Sequence, residues 1–530
     1  MSQRRRLLAD QDGFTLVAVT ITMMVLGLFA VTAWAAANNA LPGVTHDSDR
    51  KRAYEAAEAG VQWYQFQLEK DTNYWTACAD VPNGVNMQGS RAGWRNVPNS
   101  PEQFSIELLG STSAPTCVAD PDDSLLDEGI LSIRVTGRFN GKQRQIVAKF
   151  RRSGFLNYIY YTKWETLPPA AYGSQSEVDY AKDNCDQKRS LRPSSCSAIQ
   201  FPGGDTIQGP LHTEDDSLLV CGSPTFGRPN RGDSIEVAAA TSKNTAYKQN
   251  NCTGTPTTNG TLVAPSQSIL PPDNNAALSD VATYKYVGNT CLVFRPGYVD
   301  VYPNQTRWGQ PATTSHQTPV WPDYTNQIHC TGNPQTQQLH ANTVIWVGND
   351  GTCTADYAYL QTYQTASNCG DVAVSGTYST NVTVGSADDI IVNGNLSNGD
   401  SDGIMGLVAN QFVRVYHPVT RSSRGGCSNL PGVTPVDTIE AAILATKGSF
   451  LTDNWDCGDP LGTLTVVGAI AQYWRGTVGT GSGSTASTGY LKNYNYDSRL
   501  RYREPPEFLD PKTAQWGLLL QSEQSPVKSN

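Results

Sequence analysis

The chain has 530 residues, enough for more than one domain and for a sizeable core. Only 16% of residues are charged and 38% are hydrophobic, and 47 glycines with 31 prolines make a turn-rich composition that excludes a helical bundle. A formal net charge of −9 argues against nucleic acid as a partner for the bulk of the chain, and the clearest basic cluster, Arg4-Arg5-Arg6, lies in a short leader.

Behind that leader, Phe14 to Ala37 contains no charged residue. At ~1.5 Å per helical residue the run reaches ~36 Å, enough for a ~30 Å hydrocarbon core. The arginines hold the leader on the cytoplasmic side and send the rest outward. Gly13-Phe14-Thr15-Leu16-Val17, at the head of the run, resembles the class III signal of type IV prepilins and type II secretion pseudopilins. The resemblance implies cleavage after Gly13 by a prepilin peptidase, N-methylation of Phe14, and a helix that is both membrane anchor and fibre core. It implies other pilin or pseudopilin subunits and an inner-membrane assembly platform as partners. It also implies a single-pass prepilin in the inner membrane with its C-terminus outside, delivered later to the cell surface or pilus tip. The assembly residues would be Leu16, Val17 and Ala18. Ala18 is a departure, because the family usually carries a glutamate at that fifth mature position. In the family the carboxylate pairs with a neighbouring subunit's N-terminal amine, and the large tip pseudopilins share the departure. Two other signals compete: a conventional secretory site near Ala33-Trp34-Ala35, and a twin-arginine leader. Asp10 and Asp12 just before Gly13, and the helix that resumes beyond Ala40, favour the prepilin reading.

Residues 38–43, with Pro42, are expected to interrupt the first helix. From Asp47 to Lys70 helical spacing returns, with Ala53, Ala56, Ala57, Gly60, Val61, Tyr64 and Leu68 close to one face. Ala53-Tyr54-Glu55-Ala56-Ala57-Glu58-Ala59-Gly60 is similar to the Ala/Glu-rich stretch of some minor pilins and large pseudopilins. A loop over 71–101 is expected to follow, then strands within 103–110 and 130–152. Asn140-Gly141 is a two-residue hairpin signal. A hairpin packed on the second half of the helix makes an α+β pilin module, a long N-terminal helix plus antiparallel strands.

From Gly154 long helical periodicity is absent. Short apolar runs recur between turns, such as Leu218-Leu219-Val220, Val344-Ile345-Trp346-Val347, Ile390-Ile391-Val392 and Leu464-Thr465-Val466-Val467. Strands that short must stack or pair, which points to a mostly β domain, a right-handed parallel β-helix-like β-solenoid or failing that a sandwich. Three segments are similar to pieces of the large heads of other prepilin-type surface proteins: Gly209 to Thr213, Gly468 to Gly476, and Asn493 to Leu500. Residues 479–489 read as a flexible Gly/Ser/Thr loop and the stretch from Gln521 as a disordered polar tail. The expected domains are a leader over 1–13, a transmembrane helix over 14–37, a pilin-like helix and sheet over 38–153, a β-rich extracellular domain over 154–510, and a tail over 511–530.

All 12 cysteines follow the apolar run: Cys78, Cys117, Cys185, Cys196, Cys221, Cys252, Cys291, Cys330, Cys353, Cys369, Cys427 and Cys457. No C-x-x-C occurs, so disulfides of an exported chain are expected rather than zinc or redox chemistry. Pairing neighbours in order closes local loops and is one arrangement among many. Asn398, Asp400 and Asp402 have the spacing of a calcium loop, but Ala409 stands where its bidentate Glu belongs. Gly399-Asp400-Ser401-Asp402-Gly403 matches the hydrolase G-x-S-x-G without the strand-to-helix context. Arg231-Gly232-Asp233 resembles an integrin-binding triplet and reads as a surface turn. His329 beside Cys330 is the nearest approach to a metal cluster. The reading is a structural, non-enzymatic minor pilin or pseudopilin-like subunit at a tip or initiating position, with no cofactor, metal or nucleic-acid partner. The alternative is a surface adhesin or glycan-binding protein exported by the same route, which would add a surface ligand as partner.

Overall fold

The computed structural model describes residues 12–71, 74–76, 93–109, 131–152, 154–249, 252–303, 305, 330, 332–353, 357, 368–399, 401–421, 426–482, 485–501, 503–512 and 516–525. The chain divides into two compact units. One comprises residues 1–122, 131–150 and 516–530; the other comprises 123–130 and 151–515.

The first unit is built on one helix, α1 (Asp12–Lys70). The expected interruption at 38–43 is absent. Pro42 lacks a backbone N–H and so forfeits one i→i−4 bond, while the bonds on either side carry the helix across. Four strands follow: β1 (Trp94–Asn96), β2 (Gln103–Leu108), β3 (Leu131–Phe139) and β4 (Lys142–Arg152). They pair antiparallel in chain order. The β3–β4 turn has φ of 43° at Asn140 and 71° at Gly141, the positive pair that a two-residue hairpin needs. A fifth strand, Trp516–Gln524, closes the order next to β4. The tail expected to be disordered from Gln521 is therefore strand as far as Gln524. The ladder supplies partners for backbone groups that composition alone would leave in solvent.

The second unit is mostly β. Its first strand is β5 (Tyr160–Trp164). On one side β5 pairs parallel with Leu211–Thr213, which pairs with Ser234–Val237, which pairs with Thr261–Val263. On the other side it pairs parallel with Pro460–Trp474, followed outward by Thr438–Ala445, Met405–Ala409, Val382–Ser386, Thr343–Gly348 and Tyr284–Val287. The registers align one column of side chains: Leu262, Ile235, Leu211, Tyr160, Ile470, Ile443, Leu407, Val384, Ile345 and Tyr284. All but the two end members are buried. A second parallel column runs Leu292, Val374, Val392, Val415 and Thr452. A third runs Phe226, Ile207, Tyr494, Val466, Ile439 and Leu396. Members of all three columns share one buried apolar cluster. Each short run thus buries its side chains against the next rung, which no single run could do alone.

Two local expectations in this unit are corrected. A ten-residue helix, Gln175–Asn184, stands where helical structure was not foreseen; its signal is Ser174-x-x-Glu177, a reciprocal capping box in which Ser174 and Glu177 each bond the other's backbone N–H. Residues 479–489 are not a loop throughout: Gly479–Ser482 pairs antiparallel with the strand Thr485–Tyr496.

Candidate functional site

Gly13 and Phe14 lie in the first turns of α1. Leu16–Ala35 is a 20-residue span with mean hydropathy 2.3, long and apolar enough to cross a membrane, and none of it is buried by the rest of the chain. Leu16, Val17 and Ala18 are exposed. The threonine hydroxyls of the span are already satisfied. Thr20 donates to the Leu16 carbonyl at 2.9 Å, Thr22 to Ala18 at 2.6 Å and Thr32 to Leu28 at 2.9 Å. An exposed apolar surface whose hydroxyls are bonded within the helix suits lipid or a like helix and suits water poorly.

The second half of α1 is the opposite case. Ala53, Ala56, Ala57, Val61, Tyr64 and Leu68 are buried, as their spacing indicated. The approach to the sheet is close because two glycines permit it. A Cβ on Gly137 of β3 would lie 2.0 Å from the Ala53 carbonyl oxygen and 2.5 Å from the Ala57 nitrogen. One on Gly60 would lie 2.5 Å from Val135 Cγ1. Arg52 pairs with Glu102 and stacks 3.7 Å over the Phe139 ring, sealing the margin of this packing.

In the second unit, the three segments singled out for their resemblance converge. Residues 209–213 and 468–476 flank β5 on its two sides, and Tyr494 bridges Val466 and Ile207 one ladder away. The chain enters this unit in the middle of the long ladder and ends back beside its entry. That seam is tied by buried ion pairs. Arg475 Nη1 lies 2.9 Å from Glu165 Oε2, and Lys492 Nζ 2.6 Å from Asp205 Oδ2. Sequence reasoning passed over these charges, since the partners are hundreds of residues apart. The local hints were an arginine directly after the apolar end of the strand Pro460–Trp474 and a lysine in alternation with Tyr494 and Tyr496.

Nearby, His212 is buried between two carboxylates, 2.8 Å from Glu214 and 3.1 Å from Glu236. Tyr158 donates to Glu236 at 3.0 Å, Ser268 donates to Glu214 at 2.6 Å, and the Tyr161 ring stacks on the imidazole. Burial alone pulls His212 down. The hydrogen bonds to Glu214 and Glu236 outweigh it, and the imidazole pKa lies above its ordinary value.

Four disulfides join Cys185–Cys196, Cys291–Cys330, Cys353–Cys369 and Cys427–Cys457, each a pair of neighbours in order. Cys221 and Cys252 are not bonded. A hydrogen bond with Cys252, with burial adding to it, pushes the Cys221 thiol up to about 11. Cys78 and Cys117 lie outside the described residues, as do His329 and Asp400.

The short motifs resolve into turns and ties. Asp233 of Arg231-Gly232-Asp233 is fully buried, held by Arg228 at 2.8 Å and by Arg501 at 3.5 Å, so its carboxylate does not face an outside partner. Ser401 donates to the Asn398 carbonyl at 2.6 Å and accepts from the Gly403 N–H at 3.2 Å; the strand Met405–Ala409 follows instead of a helix. Among the described residues, Cys353, Cys369 and Asp388 bring potential metal-ligand atoms within 4.8 Å of one another, and the two sulfurs there are already bonded to each other.

No family model matches the chain, and no curated relative matches it. Among solved structures it is similar to the competence-associated pilin ComZ from Thermus thermophilus, at 11% identity and a TM-score of 0.29, over 90% of this chain and 97% of that one. That likeness is too low to carry a functional conclusion.

Proposed function

We propose that the chain is a minor type IV pilin or pseudopilin-like structural subunit at a tip or initiating position. Prepilin peptidase cuts after Gly13, Phe14 becomes the methylated N-terminus, and residues 14–37 anchor the subunit and pack against the helices of other subunits above an inner-membrane platform. The observation that carries this reading is a single helix with two surfaces: an exposed apolar half headed by Gly13-Phe14-Thr15-Leu16-Val17, and a half buried against an antiparallel sheet. Ala18 supports the tip position. Without a carboxylate there, the subunit has nothing to neutralise the amine of a neighbour, and leaving such a charge unpaired in a packed helix bundle is costly. The head acts without catalysis, and its three parallel columns are the faces of a β-solenoid coil, displayed outside the cell.

N-terminal mass spectrometry of the mature chain tests the processing. N-methyl-phenylalanine at residue 14 is the expected terminus. A terminus near Ala36 would replace this reading with that of an ordinary secreted protein.

A further inference from the structure

Beside the seam of the second unit lies a recess of 460 Å³, within the ~300–1,000 Å³ range of small-ligand sites. Its apolar wall is Leu270, Pro271, Pro272 and the ring of Tyr473. Its polar groups come in adjacent donor–acceptor pairs. The Asp186 carboxylate accepts from the Tyr473 hydroxyl at 2.8 Å and from Lys163 at 3.3 Å; Asp273 accepts from Lys512 at 2.6 Å. Burial and the Asp186 carboxylate raise the Tyr473 phenol well above its ordinary value, so it remains a donor. Lys163 also sits 4.0 Å over the Tyr473 ring, which fixes the ring further. A third amine, Lys447, lines the same recess and is exposed; among the described residues no carboxylate pairs with it.

We propose that this recess binds an acidic saccharide, a hexuronate ring. Hydroxyl groups both donate and accept, so they match neighbouring Lys–Asp pairs, whereas a bare anion would meet two carboxylates. The C–H face of a sugar matches the proline and leucine wall. One unpaired amine matches one carboxylate. The residues come from six separated stretches of chain, which explains why no motif announced the site. The site stands independently of how the chain is anchored.

The test is calorimetric titration of the purified full-length chain in detergent with D-glucuronate, a galacturonate oligomer, D-glucose and inorganic phosphate, each to about 10 mM, a range that detects millimolar binding. Glucuronate and the oligomer bind; glucose and phosphate bind at least about tenfold more weakly, the amount that one charge-assisted hydrogen bond supplies. An oligomer that binds no tighter per ring marks a one-ring site, and a tighter one marks a polysaccharide site; both support the proposal. Lys447→Ala lowers uronate affinity about tenfold or more at an unchanged melting temperature, and Lys447→Arg restores much of it. No uronate binding, equal binding of glucose or phosphate, or an affinity indifferent to Lys447→Ala would overturn it.

Discussion

Arg475 and Glu165 tie the strand that begins the second unit to one that comes near its end, and removing either should unseat the closure. Both side chains are within about one per cent of full burial. Arg475 Nη1 also donates to the Ile199 carbonyl and Nη2 to that of Gln200, each at 3.0 Å, and the guanidinium lies 3.5 Å over the Phe201 ring. Arg475→Met keeps the bulk but leaves the Glu165 carboxylate in a protein interior with the Tyr160 and Thr162 hydroxyls and no directly paired cation. Breaking a buried pair in this way costs about 3–5 kcal/mol. That is two to three and a half decades in the folding equilibrium and a large share of a typical ~5–15 kcal/mol. Replacing both partners, Arg475→Met with Glu165→Leu, removes the stranded charge and should recover most of the loss. The assay is chemical denaturation of the full-length chain in detergent, followed by tryptophan fluorescence. Trp164 and Trp474 stand in the two paired strands and report this unit. The reasoning fails if the single substitution costs under about 1 kcal/mol, or if the double variant loses the sum of the singles.

Other consequences are equally concrete. A folded His212 pKa above the unfolded ~6.5 contributes stability that is complete below about pH 6.5 and is lost as pH rises through the folded value. Melting temperature should therefore decline on the alkaline side of that point, and His212→Gln should flatten the decline. Gly137→Ala forces a methyl into helix backbone that cannot rotate away and should cost at least about 1–3 kcal/mol, read as faster amide exchange in β3 and the facing turns of α1; Gly27→Ala, with nothing within 4 Å, is the neutral control. Oxidised glutathione should take two protons and two electrons from Cys221 and Cys252 and join them, a bond visible by peptide mapping without reduction; two thiols that still alkylate would contradict this.

What could be read in advance follows the range of the interactions. The second half of α1, the β3–β4 hairpin and its Asn140-Gly141 turn depend on neighbours a few residues apart, so periodicity and turn chemistry found them. Four disulfides also followed chain order, because each closes a short loop. The break at Pro42 was misjudged for the converse reason: one missing donor is a local penalty, and continuity through it is decided by the bonds on both sides. The hairpin at Gly479–Ser482 was hidden by residues that carry no apolar face, since its partner strand, not its composition, holds it.

The parallel columns belong to a different class. Rungs such as Tyr160 and Ile470 are adjacent in space and about as far apart in sequence as the unit allows. No short-range pattern states that β5 belongs in the middle of a ladder whose other rungs run away from it on one side and return to it on the other. Yet the three segments picked out by resemblance all meet at that point, and so do Glu165–Arg475 and Asp205–Lys492. The coincidence has a physical basis. An interior rung is covered above and below by rungs that follow it directly, and many apolar choices serve there. A seam between a chain's entry and its exit must be specified against slippage by one residue or one rung, because nothing covalent sets its register. Buried charges do that better than interchangeable apolar side chains, since a slipped register leaves each of them unpaired at a cost of several kcal/mol. On this view the arginine of Gly468-to-Gly476 is retained for register more than for net stability. The double apolar replacement above would then melt near the parent's temperature while refolding into a mixture of registers, a heterogeneity that amide exchange in β5 would expose.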